Sequence, residues 1–140
     1  MEFVAWFTHK HIMHGILWYL HKDHHIKNHE SWFERNDLFF LIYATPGILC
    51  IINGTANMNY LFYIGIGITT YGFTYFIVHD LFIHQRFKIF RITTHPYFLA
   101  IRKAHKSHHK ITTKNDGTCF GMLIVPKKYY DDAQKILARE

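Results

Sequence analysis

The chain contains 41 consecutive residues, 38–78, that include no charged residue and no histidine. All 26 charged residues and all 13 histidines lie in the other 99 positions. A soluble domain places polar side chains on each of its helices and strands, and a disordered chain lacks so long an apolar run. This segregation predicts an integral membrane protein.

The apolar run is too long for one membrane helix and fits two, because one crossing takes about 20 apolar residues. Residues 53–59 read Asn-Gly-Thr-Ala-Asn-Met-Asn, a composition typical of turns. We therefore predict helices over 38–52 and 60–78 that pack as an antiparallel transmembrane hairpin. No strand is predicted within the pair, so the expected fold class is all-α.

Proline and glycine residues inside the two predicted helices indicate how they pack. Pro46 is expected to kink the first helix, which membrane helices tolerate. Three glycines in the second helix, Gly65, Gly67 and Gly72, loosely imitate a dinucleotide-binding fingerprint, but no βαβ unit surrounds them. We interpret these glycines as positions of close helix packing.

The charge distribution indicates how the hairpin is oriented. Both open ends of a hairpin emerge on the same side, so residues before 38 and after 78 face one compartment. Of the 16 lysines and arginines, 12 follow position 78 and four precede position 38. The positive-inside rule makes this compartment the cytoplasm. A net charge of +6 also fits nucleic-acid binding, but the segregation favours a membrane protein, and we expect no nucleic-acid partner.

Shorter helices are predicted on both sides of the hairpin. Residues 3–14 resemble the end of a further membrane helix. Only eight residues precede His9, about 12 Å of helix, so we expect this helix to be truncated or the chain to be longer. An extended apolar segment is expected to run to Pro126, and residues 129–139 form a small terminal helix. We treat residues 1–140 as one domain.

Residues 96–109 are predicted to form an amphipathic helix with Pro96 at its favoured first position. Its apolar stripe continues into histidines and is expected to face inward; the stripe consists of Tyr97, Ile101, Ala104, His105 and His108. The opposite side carries Arg102, Lys103 and Lys106, as expected for a helix on a membrane surface.

Histidines form a pattern that occurs twice. An HxxxxH motif and an HxxHH motif occur before the hairpin, and the same two motifs occur after it. The ten histidines of these motifs are His9, His14, His21, His24, His25, His79, His84, His105, His108 and His109. His11, His29 and His95 fall outside the pattern.

Helix geometry constrains how these motifs meet. The three rings of HxxHH lie within about 100° on an ideal helix, as ligands on one face should. The five-residue step of HxxxxH rotates by about 140°, so that motif needs a helix end, a distortion or two different metals. A continuous helix from His9 to His25 would separate these residues by about 24 Å, so the chain must bend, most simply at Gly15.

The number of imidazoles indicates the kind of metal site. Imidazole suits iron, zinc, copper and nickel, so ligand type alone does not choose the metal. Ten rings exceed the four of a closed zinc site and give two metals about five ligands each, with one position open. Carboxylates that could hold a second ring nitrogen are Asp80, Asp37 and Asp23. Asp37 could equally cap the helix that begins at Leu38.

Several other short segments accompany the histidines: residues 9–15, 36–38, 71–72, 79–87, 104–109 and 120–121. As a set, over roughly residues 2–126, these segments resemble the fatty acid hydroxylase superfamily, and more narrowly the bacterial β-carotene 3-hydroxylases. The resemblance implies a membrane-embedded non-haem di-iron monooxygenase whose ten motif histidines hold two irons. It further implies a bacterial inner-membrane location with the histidines on the cytoplasmic side.

The expected reaction follows from the same resemblance. It implies hydroxylation of C3 of the β-ionone ring, from β-carotene through β-cryptoxanthin to zeaxanthin, with O2 and a ferredoxin-type electron donor. The carotenoid would enter from the bilayer through an apolar slot lined by Phe and Tyr of the hairpin. Zinc has no redox chemistry and cannot perform such an oxidation.

Two alternatives remain open at this stage. Within the enzyme class, a carotenoid 4-ketolase or another membrane lipid hydroxylase or desaturase would share the histidine pattern. From another class, a metal transporter or storage protein is the rival. Transport favours ionisable residues at mid-depth of the bilayer, and residues 38–78 contain none.

Overall fold

The computed structural model describes residues 1–26 and 31–139, which form helices, turns and loops with no strand among them. The predicted all-helical architecture is confirmed for these residues. In chain order the elements are α1 (Glu2–Thr8), a first π segment (His9–Ile16), α2 (Trp18–His25), a 3-10 turn (Arg35–Asp37), α3 (Leu38–Thr55), α4 (Tyr60–Tyr75), a second π segment (Phe76–Ile83), α5 (Pro96–His109) and α6 (Lys127–Leu137).

Helices α3 and α4 pack against each other in antiparallel orientation, as predicted. Gly54 lies beside Phe62, Ile51 beside Gly65 and Gly47 beside Ile68, so residue numbers rise along one helix as they fall along the other. Each helix, extended by its neighbouring segment, is long and apolar enough to cross a membrane: Arg35–Thr55 and Tyr60–Ile83.

The outer surface of this hairpin is apolar and exposed. Only 17% of the most apolar stretch of the first span and 11% of that of the second are buried within the protein. The core helix of a soluble protein would bury most of such a surface, because exposed contiguous apolar area is costly in water. The exposure therefore fits two helices that face lipid.

The turn between the helices begins three residues later than predicted. The side chains of Asn53 and Thr55 donate to carbonyls four residues earlier, at 2.7 and 2.6 Å, and so remain part of α3. Gly54 allows the close approach of the next helix, because a Cβ there would lie 2.1 Å from the backbone nitrogen of Phe62. Asn59 then begins α4 by accepting the N–H two residues later at 2.9 Å.

The glycines of α4 have different environments. A Cβ on Gly65 would lie 2.8 Å from the carbonyl oxygen of Gly47, which confirms close packing at this position. The packing prediction is wrong for Gly67 and Gly72, whose added Cβ atoms would meet nothing within 4 Å in the described chain. Gly67 is turned about 200° from Gly65 around the helix, and Gly72 borders a cavity.

Helix α5 buries the predicted stripe. Ile101, Ala104, His105 and His108 are buried, and Tyr97 is partly buried. Ala104 packs against α6, which occupies nearly the range predicted for a terminal helix. The inward face of α5 therefore joins the apolar core directly to the histidines.

Arg102, predicted on the side of α5 opposite the stripe, makes specific contacts with the backbone. Its guanidinium donates to the carbonyl oxygens of Phe82, Phe90 and Arg91 at 3.0, 2.7 and 2.9 Å. It also lies 4.1 Å from the centroid of the Phe82 ring. Arg102 thus fastens the loop after the second π segment to α5, a role that charge patterning alone does not reveal.

The predicted helix over 3–14 forms, but it is made of α1 and the first π segment. Glu2 anchors its start: one carboxylate oxygen accepts the backbone N–H groups of Met122, Leu123 and Ile124 at 2.8, 2.9 and 3.1 Å. The other oxygen accepts the Tyr71 hydroxyl at 2.5 Å. The carboxylate therefore connects α1, α4 and the segment that precedes α6.

A pair of glycine substitutions tests the packing of the hairpin. Gly65→Ala should destabilise the protein by about 1–3 kcal/mol, because the new methyl group meets backbone atoms that cannot move freely. Gly67→Ala should be neutral or stabilising by up to about 1 kcal/mol, since alanine favours a helix and meets nothing. Thermal unfolding of the detergent-solubilised variants measures the difference. Equal unfolding temperatures would contradict the packing described above.

Candidate metal centre

The HxxxxH motifs coincide with the two π segments. The N–H of Leu17 donates to the carbonyl of Ile12 at 2.8 Å, and the N–H of His84 donates to that of His79 at 2.9 Å. Such bonds between residues five apart define π-helical turns, which bring the first and sixth residues to the same side. Of the options left open by the spacing, the structure shows the distortion.

The distortion brings the rings of each HxxxxH motif together. The ring centroids of His9 and His14 are 5.2 Å apart, and those of His79 and His84 are 4.5 Å apart. The predicted bend at Gly15 is confirmed, with φ −104° and ψ −112° inside the helix. This bend returns α2 toward α1, so that Nε2 of His21 lies 3.1 Å from Nε2 of His9.

The ten predicted histidines assemble in two adjacent groups. Ring nitrogens of the first histidine group lie within 4.8 Å of one another, and its members are His9, His14, His21, His25 and His108. The same limit holds for His24, His84, His105 and His109. His79 adjoins these four, with its Nε2 3.2 Å from Nε2 of His24, and completes the second histidine group.

The remaining histidines have other surroundings. His11 lies against the rings of Trp6 and Phe7, and His95 lies against Phe98. His29 is outside the described residues. The division of thirteen histidines into ten and three made from spacing therefore matches the placement of the twelve that the structure describes.

Each HxxHH motif divides between the two groups. His21 and His25 belong to the first group, whereas His24 belongs to the second. On α5 the assignment is reversed: the motif sends His108 to the first group and its other two rings to the second. The three rings share one helix face, as predicted, but this face borders both groups, so α2 and α5 each contribute to both.

Oxygen acceptors hold the outer nitrogens of four of the five rings in the first group. Each Nδ1–H donates to one oxygen: His9 to the Phe120 carbonyl at 2.9 Å, His21 to Asn36 Oδ1 at 2.6 Å, His25 to the Ile111 carbonyl at 2.9 Å and His108 to the Thr118 carbonyl at 2.7 Å. A carbonyl oxygen only accepts hydrogen bonds, so Nδ1 carries the proton in all four rings. In a neutral ring, Nε2 then carries no proton and presents a lone pair.

The rings are neutral near pH 7. Burial, together with the neighbouring His108, lowers the pKa of His25 to about 3. Burial also lowers the pKa of His108 itself to about 4. In the second group, burial holds the pKa of His24 and of His105 well below the usual histidine value.

These lone pairs face one another. Nε2 of His21 lies 3.1 Å from Nε2 of His9 and 3.2 Å from Nε2 of His25, and none of the three atoms carries a proton. Two acceptors at such a distance repel each other unless a cation lies between them. Two nitrogens that are each about 2.1 Å from one ion lie about 3.0 Å apart at a right angle. The donor set therefore fits a metal ion.

In the second group one carboxylate accepts the outer nitrogen of a ring, and another carboxylate lies near the outer nitrogen of a second ring. The Nδ1–H of His24 donates to Glu34 Oε2 at 2.8 Å. Nδ1 of His79 lies 3.4 Å from Asp80 Oδ1, so Asp80 occupies the position expected of it from sequence. Glu34 was not predicted, because it lies ten residues from His24 and belongs to no motif.

The other predicted carboxylates contact different groups. Asp37 pairs with Arg86 at 2.5 and 3.2 Å and accepts the backbone N–H of Glu34 at 3.0 Å. It makes no side-chain capping bond to α3. Asp23 accepts the backbone N–H of Arg35 at 2.6 Å. Both aspartates thus position the segment that carries Glu34.

A residue with a left-handed backbone conformation lies between two of the carbonyls that accept from His108 and His9. Cys119 has φ 57° and lies between Thr118 and Phe120, whose carbonyls hold His108 and His9. The Phe120 ring also packs against both histidines, with centroid distances of 5.3 and 5.5 Å. Sequence analysis assigned no function to Thr118 or Cys119.

A largely apolar cavity of about 650 Å³ connects the hairpin to both histidine groups. Ile48 and Ile68 line it in the middle of the hairpin, and its inner end is formed by His9, His79 and His105. Aromatic side chains cover much of the wall between, as expected for the slot: Phe39, Phe40, Tyr43, Tyr71, Phe73, Tyr75 and Phe76.

An all-helical hairpin with an exposed apolar surface, a histidine cluster able to hold metal and an apolar cavity beside it fit a metal-dependent enzyme of the membrane. The profile of the fatty acid hydroxylase family matches residues 1–125. The chain belongs to this family and is an enzyme.

Three relatives share one activity within this family, because each is named as a beta-carotene hydroxylase. The chain is 39% identical over 137 residues to a beta-carotene hydroxylase of Pseudescherichia vulneris, covering 98% of this chain and 76% of the relative. It is 40% identical over 126 residues to a beta-carotene hydroxylase of Pantoea ananas, covering 90% and 71%. Against the chloroplastic beta-carotene 3-hydroxylase 1 of Arabidopsis thaliana it is 37% identical over 132 residues, covering 91% and 42%. No solved structure matches the chain significantly.

Proposed function

We propose that this enzyme hydroxylates C3 of the β-ionone ring of carotenoids, converting β-carotene through β-cryptoxanthin to zeaxanthin. The observation that carries the proposal is the apolar cavity, which starts between the membrane helices and ends on rings of both histidine groups. Bacterial and plant relatives named as β-carotene hydroxylases support the same substrate class.

Two irons are the proposed cofactor, one for each histidine group. When bound, iron supplies the redox chemistry with O2 that an unactivated ring methylene requires and that zinc lacks. The five rings of each group would hold one ion through inward-facing lone pairs. Nδ1 hydrogen bonds orient five of these ten rings: His9, His21, His25, His108 and His24. Electrons would come from a ferredoxin-type donor.

The chain's own residues bind and orient the substrate in this proposal. The aromatic wall accepts a flat polyene from the bilayer and excludes water from the inner end of the cavity. Because His9 belongs to one group and His105 to the other, a ring that reaches the inner end lies beside both. The reaction needs positioning more than proton transfer, so no side-chain acid or nucleophile is assigned.

The proposed location is a bacterial inner membrane with both histidine groups on the cytoplasmic side. Twelve of the 16 lysines and arginines follow position 78, and the two open ends of the hairpin emerge together. This orientation places the histidines where a soluble electron donor is available, while the cavity remains open toward lipid.

Replacement of a ligand tests the metal centre. His108→Ala should abolish zeaxanthin formation in a β-carotene-producing bacterial host, because it removes one inward lone pair from the first group. His95→Ala, which changes a histidine outside both groups, should leave product formation near normal. Pigment chromatography measures product, and an immunoblot of the membrane fraction measures insertion. Near-normal turnover by inserted His108→Ala protein would contradict the assignment, and a keto product would identify a ketolase instead.

A second substitution tests the cavity separately from the metal. Gly72→Leu should lower turnover at least tenfold while iron content stays unchanged, because the side chain enters the cavity that Gly72 borders. Gly67→Leu adds the same side chain to the same helix at a position outside the cavity lining and should retain activity. If the two variants were equally active, the cavity would not be the substrate site.

A further inference from the structure

The two histidine groups differ in the charge of the atoms behind their rings. In the first group, the four Nδ1–H bonds end on three backbone carbonyls and one side-chain amide, all of which are neutral. A neutral acceptor orients an imidazole and fixes its tautomer without adding negative charge.

In the second group the oxygens that lie behind two of the rings belong to carboxylates. Glu34 accepts from His24 at 2.8 Å, with 13% of its side chain exposed, and Asp80 lies 3.4 Å from Nδ1 of His79. A carboxylate behind a ligating imidazole raises the basicity of that ligand. Negative charge near a metal also stabilises the more highly charged metal ion, strongly so away from bulk water.

Arg86 holds these carboxylates together. Its guanidinium lies 3.5 Å from Glu34, 3.3 Å from Asp80 and 2.5 Å from Asp37, and only 14% of its side chain is exposed. Three carboxylates surround this one guanidinium, so Arg86 fixes their positions and does not by itself neutralise all three.

We propose that the two metal positions are electronically unequal, with Glu34 and Asp80 acting as positioning residues that stabilise the ferric state at the second group. This inference rests on the proposed function, because it presupposes one iron in each group. With one iron bound in each group, the first electron from the donor would reduce the ion held by the first group from Fe(III) to Fe(II). The second electron would reduce the ion held by the second group at a lower potential, and no covalent bond would change.

Two residues of the same short segment provide a matched test. Glu34→Gln removes a charge and Asn36→Asp adds one, while each keeps a side-chain oxygen as acceptor for its histidine. The full chain, loaded with 57Fe in detergent micelles, is titrated anaerobically with dithionite and followed by Mössbauer spectroscopy. Asp132→Asn removes a charge from an exposed surface pair and serves as the control.

The proposal predicts two one-electron steps that respond separately. Glu34→Gln should raise the potential of the lower step alone, and Asn36→Asp should lower that of the higher step alone. The double variant should narrow the gap between the steps or reverse their order, and Asp132→Asn should move neither. If Glu34→Gln loses iron, Asn36→Asp decides the result by itself.

Two failures are distinguishable. Variants that move both steps equally, or that move the same step, would overturn the inference and leave the di-iron proposal intact. A wild-type chain that holds fewer than two irons would overturn the proposed function together with the inference.

Discussion

The structure of the metal centre depends on histidine Nε2 atoms whose lone pairs face one another. Nε2 of His21 lies 3.1 Å from Nε2 of His9 and 3.2 Å from Nε2 of His25, and none of these atoms carries a proton, because each ring donates its only proton outward through Nδ1. Such an arrangement is repulsive until a cation enters, so the fold holds the rings in positions that only a metal makes favourable. Every loop that supplies an outer acceptor therefore contributes to the metal site.

Distortions and bends in the helices bring the ten rings together. An ordinary α-helix turns residues five apart away from each other, and the two π segments remove that offset. Gly15 then turns α2 back beside α1, and α5 approaches from the far end of the chain. The hairpin lines most of the cavity. The inner end of this cavity is formed by rings of both histidine groups.

Sequence analysis predicted the parts of the structure that depend on spacing and composition. The hairpin, the bend at Gly15 and the separation of ten histidines from the others follow from hydropathy and periodicity. The outer acceptors could not be predicted, because a backbone carbonyl such as that of Thr118 or Phe120 has no sequence signature. Glu34 and Asn36 belong to no motif, and only the fold brings them to their histidines. For the same reason Gly72 was expected at a helix contact and borders a cavity instead.

X-ray absorption at the iron K-edge, combined with elemental analysis of the purified full-length chain, tests the central claim most directly. The account predicts two irons per chain, each with about five imidazole nitrogens at roughly 2.1 Å and no sulfur neighbour. A single iron per chain, or a metal shell dominated by oxygen or sulfur, would contradict it.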